Sequence, residues 1–331
     1  MFPGADDRHE HSFVIRSVGL VSWHRVDKPW KVRRHVGDTN KGEIMFFRVL
    51  THRPLLATIT VTAVAAQAAY AASDVSDAVI AEQRAALAAA TKDAGFGPQA
   101  PRDLGTVTGE NQRIFATAPA HTEMNLCNIH FHEGAEHKGG NFTTYAGNGD
   151  GKGYGTGFLY DGELTDAELA PLDAPIGDLA HGGLEPGDTI EIHFVHSSAK
   201  VTPGPTLGSC ISEAIGNPQL RVETVVAVLV NDDAAADFTE MATISTDAGL
   251  AQVPNLPTDL GDPIVYAGST TGPSFNEKGS PFQVTWSVRP DVVKLDIASV
   301  DAWFKDNVFD ENAAHGVRNL VMNPALLSTI E

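Results

Sequence analysis

Cysteine is nearly absent, with Cys127 and Cys210 the only two in 331 residues. Two thiols allow a single disulfide, the default pairing in an oxidising compartment. Positive charge is short as well: 23 Lys and Arg stand against 42 Asp and Glu, a formal charge of −19. So acidic a chain repels nucleic acid and anionic membranes, which removes both as expected partners. No internal repeat is present. A phosphate loop is missing too, because G-N-G-D-G-K (147–152) is one residue short of the usual spacing and lacks the following Ser or Thr. The glycine-rich run 147–157 therefore reads as a long flexible loop. A calcium turn at Asp150 and Asp161 has no repeat behind it.

Long apolar runs are also lacking. The longest, 55–71, spans 17 residues and contains Thr58, Thr60, Thr62 and Gln67, which is short for a membrane span. Arg48 and Arg53 precede it, and Ala69-Tyr70-Ala71 follows as a small-x-small site. Residues 45–71 thus read as a signal peptide. Residues 1–44 are expected to be an unstructured leader or the product of a start codon placed too far upstream. Removing 1–71 leaves 13 Lys and Arg against 36 Asp and Glu, a charge of −23. The expected product is exported, periplasmic or extracellular, and free of the membrane once cleaved. The sequence does not set its oligomeric state.

What the sequence does have is histidine in patterned places. Residues 128–140 read N-I-H-F-H-E-G-A-E-H-K-G-G. On a strand, residues two apart share a face, so Asn128, His130 and His132 project together. Strict alternation sends Cys127, Ile129 and Phe131 the other way. Cys127 is then a poor ligand and a better disulfide partner for Cys210. A lone H-x-H is equally a pair of surface histidines on an edge strand. A second stretch, I-E-I-H-F-V-H at 190–196, puts Glu191, His193 and Val195 on one face and supplies a third imidazole. Three histidines leave one tetrahedral position open, the arrangement of a catalytic zinc. Asn128 and Glu191 flank them as acceptors for the ring N–H groups turned away from the metal. Co²⁺ and Cd²⁺ suit the same ligands.

N-I-H-F-H, E-H, E-I-H-F-V-H, Y-A-G-S-T-T-G-P (266–273) and V-T-W-S-V (284–288) occur in the order found in alpha-type carbonic anhydrases. The fuller text, including G-P-T-L-G-S-C-I-S-E-A-I-G-N-P-Q-L-R-V-E (204–223) and A-H-G-V-R-N-L-V (314–321), resembles the delta class of that enzyme over about 121–331. The resemblance implies reversible hydration of carbon dioxide to bicarbonate by a zinc-bound hydroxide. His130, His132 and His193 would be the ligands. Thr271 would be the hydroxyl that accepts from the hydroxide and donates to Glu136. His137 and His196 match buried hydrogen-bonding histidines, and Val195 would wall a small apolar pocket for carbon dioxide. The chain departs from the pattern in the three residues between His132 and Glu136, a tight spacing, and in Thr270 and Gly272 beside Thr271. No residue maps as the proton shuttle; His121 and His181 are available.

The expected fold is mainly β (α+β), a central twisted, largely antiparallel sheet with peripheral helices. An Ala-rich helix over 73–92 and a linker over 96–108 make an N-terminal segment (72–120), followed by the catalytic domain (121–331). A helical turn is expected at 165–169, a buried strand at 221–230, another at 282–288 and an amphipathic helix at 297–309. Asn141-Phe142-Thr143 is a glycosylation sequon. H-x-H-x-x-x-E at 130–136 also has the spacing of a cupin metal site, a binding module or dioxygenase on a β-barrel. Against it, P-G-D-T-I-E-I-H (186–193) does not keep cupin spacing. A third reading is an exported metal-binding module without activity.

Overall fold

The computed structural model describes residues 74–331, apart from 182 and 273. The expected leader and signal peptide lie outside the described residues. Helix α1, Asp77–Thr91, buries Ile80, Gln83, Leu87 and Thr91 along one face. Strand β1 is Asn125–Glu133, β2 Thr144–Asn148, β3 Thr156–Leu159, β4 Thr189–Ser197 and β5 Leu220–Val230. A short helix α2, Phe238–Met241, then precedes β6 (Ser245–Asp247), β7 (Leu250–Gln252), β8 (Ile264–Ser269), β9 (Gln283–Asp296) and helix α3 (Ile297–Lys305). Among the described residues no helix is long and apolar enough to cross a membrane.

One five-stranded sheet, ordered β1-β4-β5-β9-β8, forms the centre of the described residues. Every pairing is antiparallel except β5 with β9, so the sheet is mixed. Its five strands form an open sheet, not the closed barrel a cupin requires. The two faces bury different things. On one, Ile129, Phe131, Ile192, Phe194, Val225 and Leu229 pack on Phe238, Val300, Trp303 and Phe304 of α2 and α3. Phe131 meets Phe238 edge-on at 5.7 Å, a favoured aromatic geometry. The other face carries Val195, Val222, Val226, Tyr266, Val284 and Trp286 together with the histidines.

Two elements differ from expectation for identifiable reasons. β9 continues past Val288 to Asp296 because Pro290 is absorbed in a bulge, where the β5 register jumps from Thr224↔Val288 to Val226↔Val292. β8 pairs only as far as Val288, so the missing proline N–H costs no ladder bond on that side. α3 ends at Lys305, short of Phe309, because Asn307 interrupts it: its amide donates to Trp303 O and accepts from Phe309 N.

The stretch 96–108 has no regular secondary structure, as expected of a linker, yet it is packed into the body. Gln99 N donates to Leu326 O and Leu104 N to Lys138 O. The fully buried Arg102 donates to Ser328 O. The glycine-rich run is likewise held rather than loose. Gly149 O accepts from Val75 N, Gly151 O from Gln83, and Gly153 O from Val317 N, so this β2–β3 hairpin ties α1 to the C-terminal arm. The turn expected at 165–169 forms, with Leu169 N donating to Thr165 O.

Cys127 corrects the parity argument. A bulge between Leu126 and Asn128 sends Leu126 to the helix-covered face and Cys127 to the histidine face, against Val195 and Val222. An extra residue in one strand shifts alternation by one. The Cys127–Cys210 disulfide nevertheless forms, closing a separation of 83 residues. Replacing both cysteines by Ser is expected to cost about 2–5 kcal/mol, read as a lower urea midpoint that reductant does not move further.

Candidate metal centre

His130 and His193 are direct cross-strand partners on β1 and β4, and His132 stands two residues along β1 from His130. The sheet therefore fixes their spacing before any ligand arrives. Their facing nitrogens lie within 4.8 Å of one another. His132 and His193 are buried, His130 partly so.

The opposite nitrogen of each ring is engaged by an acceptor. His130 Nδ1 lies 2.6 Å from Asn128 Oδ1. The Asn128 amide is oriented in turn, because its Nδ2 donates to Gly204 O at 3.1 Å. His132 Nδ1 donates to Gly316 O at 2.9 Å, and His193 Nε2 donates to Glu191 Oε1 at 2.8 Å. With those nitrogens protonated, His130 Nε2, His132 Nε2 and His193 Nδ1 each offer a lone pair. His130 Nε2 and His193 Nδ1 are 3.3 Å apart with no proton left for the space between them. Lone pairs aimed at one point repel unless a cation sits there, so the donor set fits a divalent metal of the N-ligated, tetrahedral kind.

Glu191 is fully buried. It accepts from His193 Nε2, from His137 Nδ1 at 2.7 Å and from His137 N at 3.0 Å. Burial pushes its pKa up, but the His137 ring and the histidine donors outweigh that and hold it well below the usual carboxylate range. His137 Nε2 then accepts from Tyr266 O–H at 2.6 Å. His137 is thus buried and hydrogen-bonded, in a chain that runs Tyr266, His137, Glu191, His193.

His196 is fully buried too, but its ring lies on the opposite sheet face, with Nδ1 3.0 Å from Phe194 O and His121 alongside at 5.5 Å. His121 itself lies 3.4 Å from Glu223 and is not among the residues lining the histidine cavity. Glu136 reaches the site because Gly134, at φ 80°, turns the chain sharply after β1; a Cβ there would meet Thr156 O at 2.2 Å. Glu136 Oε1 accepts from Arg318 N at 2.9 Å and lies 3.7 Å from His132 Nδ1. Thr271 lines the same cavity, though among the described residues it makes no hydrogen bond to Glu136.

The histidines open into a cavity of about 320 Å³. Val195, Val222, Leu207, Val284, Trp286 and Phe275 form its apolar wall, so Val195 is where its strand parity puts it. Sequence reasoning missed His315. Its backbone bridges to His132, its ring lies 5.5 Å from His130 and 5.8 Å from His132, and Nε2 donates to Glu311 at 2.8 Å. A-H-G-V-R-N-L-V was visible in the chain, but nothing local tied it to β1. Trp286, packed on His193 at 4.9 Å, was missed as well, although its alternation with Val284 on β9 points it there.

A family model described as delta carbonic anhydrase matches residues 121–299. No curated protein matches the chain. Among solved structures, the Photobacterium profundum alpha-carbonic anhydrase is similar at 18% identity over 69% of this chain and 88% of its own, with a TM-score of 0.24. A hyperthermostable carbonic anhydrase identified from an active hydrothermal vent chimney is similar at 16% identity over 67% and 84%, with a TM-score of 0.25.

Without metal, burial first and the neighbouring histidines after it lower the His132 pKa to about 4, against an opposing pull from Glu136. Above the ordinary histidine pKa of about 6.5 the group contributes nothing, being neutral folded and unfolded. As pH falls from there to about 4, the unfolded chain takes up the proton and the folded one does not. The metal-free fold therefore loses about 3 kcal/mol from this group, and no more below pH 4. Asp188, raised to about 7 by burial and then by Glu133 and Glu185, runs the other way, so a bulk stability curve mixes the two. Proton NMR of the metal-free chain separates them. The His132 ring is expected to titrate near pH 4, and a midpoint near 6.5 means that the pocket is wet.

Proposed function

Because the chain belongs to the delta carbonic anhydrase family, we propose that it hydrates carbon dioxide reversibly to bicarbonate and a proton, with zinc held by His130, His132 and His193. The observation that carries the ligand set is the convergence of three imidazole lone pairs, each tautomer set by its own acceptor. Bound there, zinc supplies the Lewis acidity that brings the pKa of a water ligand down to about 7.

The chain's own residues do the rest. Asn128, Gly316 O and Glu191 orient the three rings and hold the proton of each on the nitrogen that faces away from the metal. Val195, Val222 and Trp286 present apolar surface to carbon dioxide, which has no charge and little to gain from polar walls. Thr271 lines the cavity together with Glu136, and in this reading its hydroxyl would donate to that carboxylate. Its oxygen then faces the nucleophile only as an acceptor, which aims the reactive pair at the substrate. His137 and Tyr266 keep Glu191 ionised and in place. Co²⁺ and Cd²⁺ are compatible with the same three nitrogens. Export belongs to the same proposal, supported by the 45–71 run and by a disulfide of the kind that persists in oxidising compartments.

Stopped-flow hydration of carbon dioxide by the zinc-loaded chain tests the reading. The parent is expected to turn over fast, His193→Ala to fall to near background, and Thr271→Val to lose about 10²–10³-fold in kcat. Equal rates for parent and His193→Ala mean that the ligand set must be redrawn, around Glu136. Bound zinc without turnover in the parent leaves a metal-binding module in place of the enzyme.

A further inference from the structure

Thr206 has φ 59° and ψ 170°. That region is essentially reserved for glycine, and a β-branched residue there is a genuine outlier. The loop has glycines two residues to either side, Gly204 and Gly208, yet threonine occupies the strained position. Both flanks are pinned. Gly204 N donates to Cys127 O, Ser209 N to Thr206 O, and Ser209 Oγ to Pro205 O, while Cys210 is fixed by the disulfide to β1. Such over-determination is what lets a strained backbone persist.

Thr206 also lines the histidine cavity. Its Oγ1 accepts from Gly208 N at 3.1 Å, which leaves the O–H as a donor with no acceptor among the described residues. Several of the other polar groups around the cavity are engaged or are acceptors. The three imidazoles face the proposed metal position, the Asn128 amide is engaged by His130 and Gly204, Thr270 Oγ1 shares a hydrogen bond with Ser280 Oγ, and His315 is bonded to Glu311. Glu136 and Glu311 are carboxylates. On the proposed reading, the Thr271 O–H donates its hydrogen bond to Glu136. Bicarbonate, an anion rich in acceptors, would then find an uncommitted hydroxyl donor in Thr206.

Resting on the carbon dioxide reading, we propose that Thr206 donates a hydrogen bond to bicarbonate in the cavity, and that the pinned, strained 204–210 loop exists to present that hydroxyl. Thr206→Gly removes the donor and relaxes the backbone. Thr206→Ser keeps the donor. In the zinc-loaded full chain, calorimetric titration with bicarbonate in mildly alkaline buffer is expected to show about tenfold weaker binding for Thr206→Gly and near-parent binding for Thr206→Ser. Bicarbonate KM in the dehydration direction should rise in step. The thermal midpoint of Thr206→Gly should equal or exceed the parent's, since glycine is at ease in that conformation.

Unchanged bicarbonate affinity in Thr206→Gly, with an active parent, overturns this proposal and leaves the carbon dioxide reading standing. Weakened binding with a lowered thermal midpoint overturns it too, because the loss then comes from a damaged loop. A parent that holds zinc but neither binds bicarbonate nor turns over overturns both.

Discussion

A single buried carboxylate organises the histidine face of this protein. Glu191 has no exposed surface and is held by N–H donors: His193 Nε2, His137 Nδ1 and the His137 backbone. Removing a carboxylate from water costs several kcal/mol, and charge-assisted hydrogen bonds of this length are the interactions able to offset it. Once ionised and fixed, Glu191 leaves His193 one tautomer, with Nδ1 free. It also turns His137 so that Nε2 must find a donor, which Tyr266 supplies at 2.6 Å. Much of the remaining site geometry follows from these contacts.

The three imidazoles are oriented by three different chemical groups. His130 leans on a side-chain amide, His132 on a backbone carbonyl and His193 on a carboxylate. A carboxylate partner makes an imidazole a stronger metal ligand than an amide or carbonyl partner does. His132 depends on the C-terminal arm, since Gly316 supplies its acceptor and Arg318 N holds Glu136 nearby. That arm lies beyond residue 299, where the family match ends, so the site is completed by chain outside the matched segment. α1 and the β2–β3 hairpin hold the arm from outside through the Gly153 to Val317 bond.

How much of this was legible in the sequence depends on how local its cause is. The pairing of His130 with His132, and of Glu191 with His193 and Val195, follows from strand parity, and the structure keeps it because β4 pairs with β1 and β5 without a break across these residues. Cys127 failed the same rule, since a bulge has no simple sequence signature and reverses every residue on its far side. The long run of β9 was hidden by Pro290, which ordinarily ends a strand and here sits where one edge is unpaired. The packing of 96–108 and of the glycine-rich hairpin was illegible for another reason. Both look like loops in composition, and only contacts distant in sequence, such as Gln99 with Leu326, turn them into structure. His315 was missed on the same ground.

The charge distribution adds a last constraint on how such a site can cycle. Residues 72–331 carry a formal charge of −23, and two carboxylates, Glu136 and Glu311, border the cavity. A neutral carbon dioxide molecule feels none of that field and is drawn only by the apolar wall. Bicarbonate carries a full charge and is pushed outward, over the roughly 8 Å that salt leaves unscreened. The proposed zinc supplies the main attraction for the anion, and the carboxylates work against it. An uncharged hydroxyl donor adds to that attraction without the tight hold of an Arg or Lys. The acidic exterior, the apolar wall and a neutral donor are in this sense parts of one balance: weak retention of the anion, and entry for its neutral precursor that charge does not oppose.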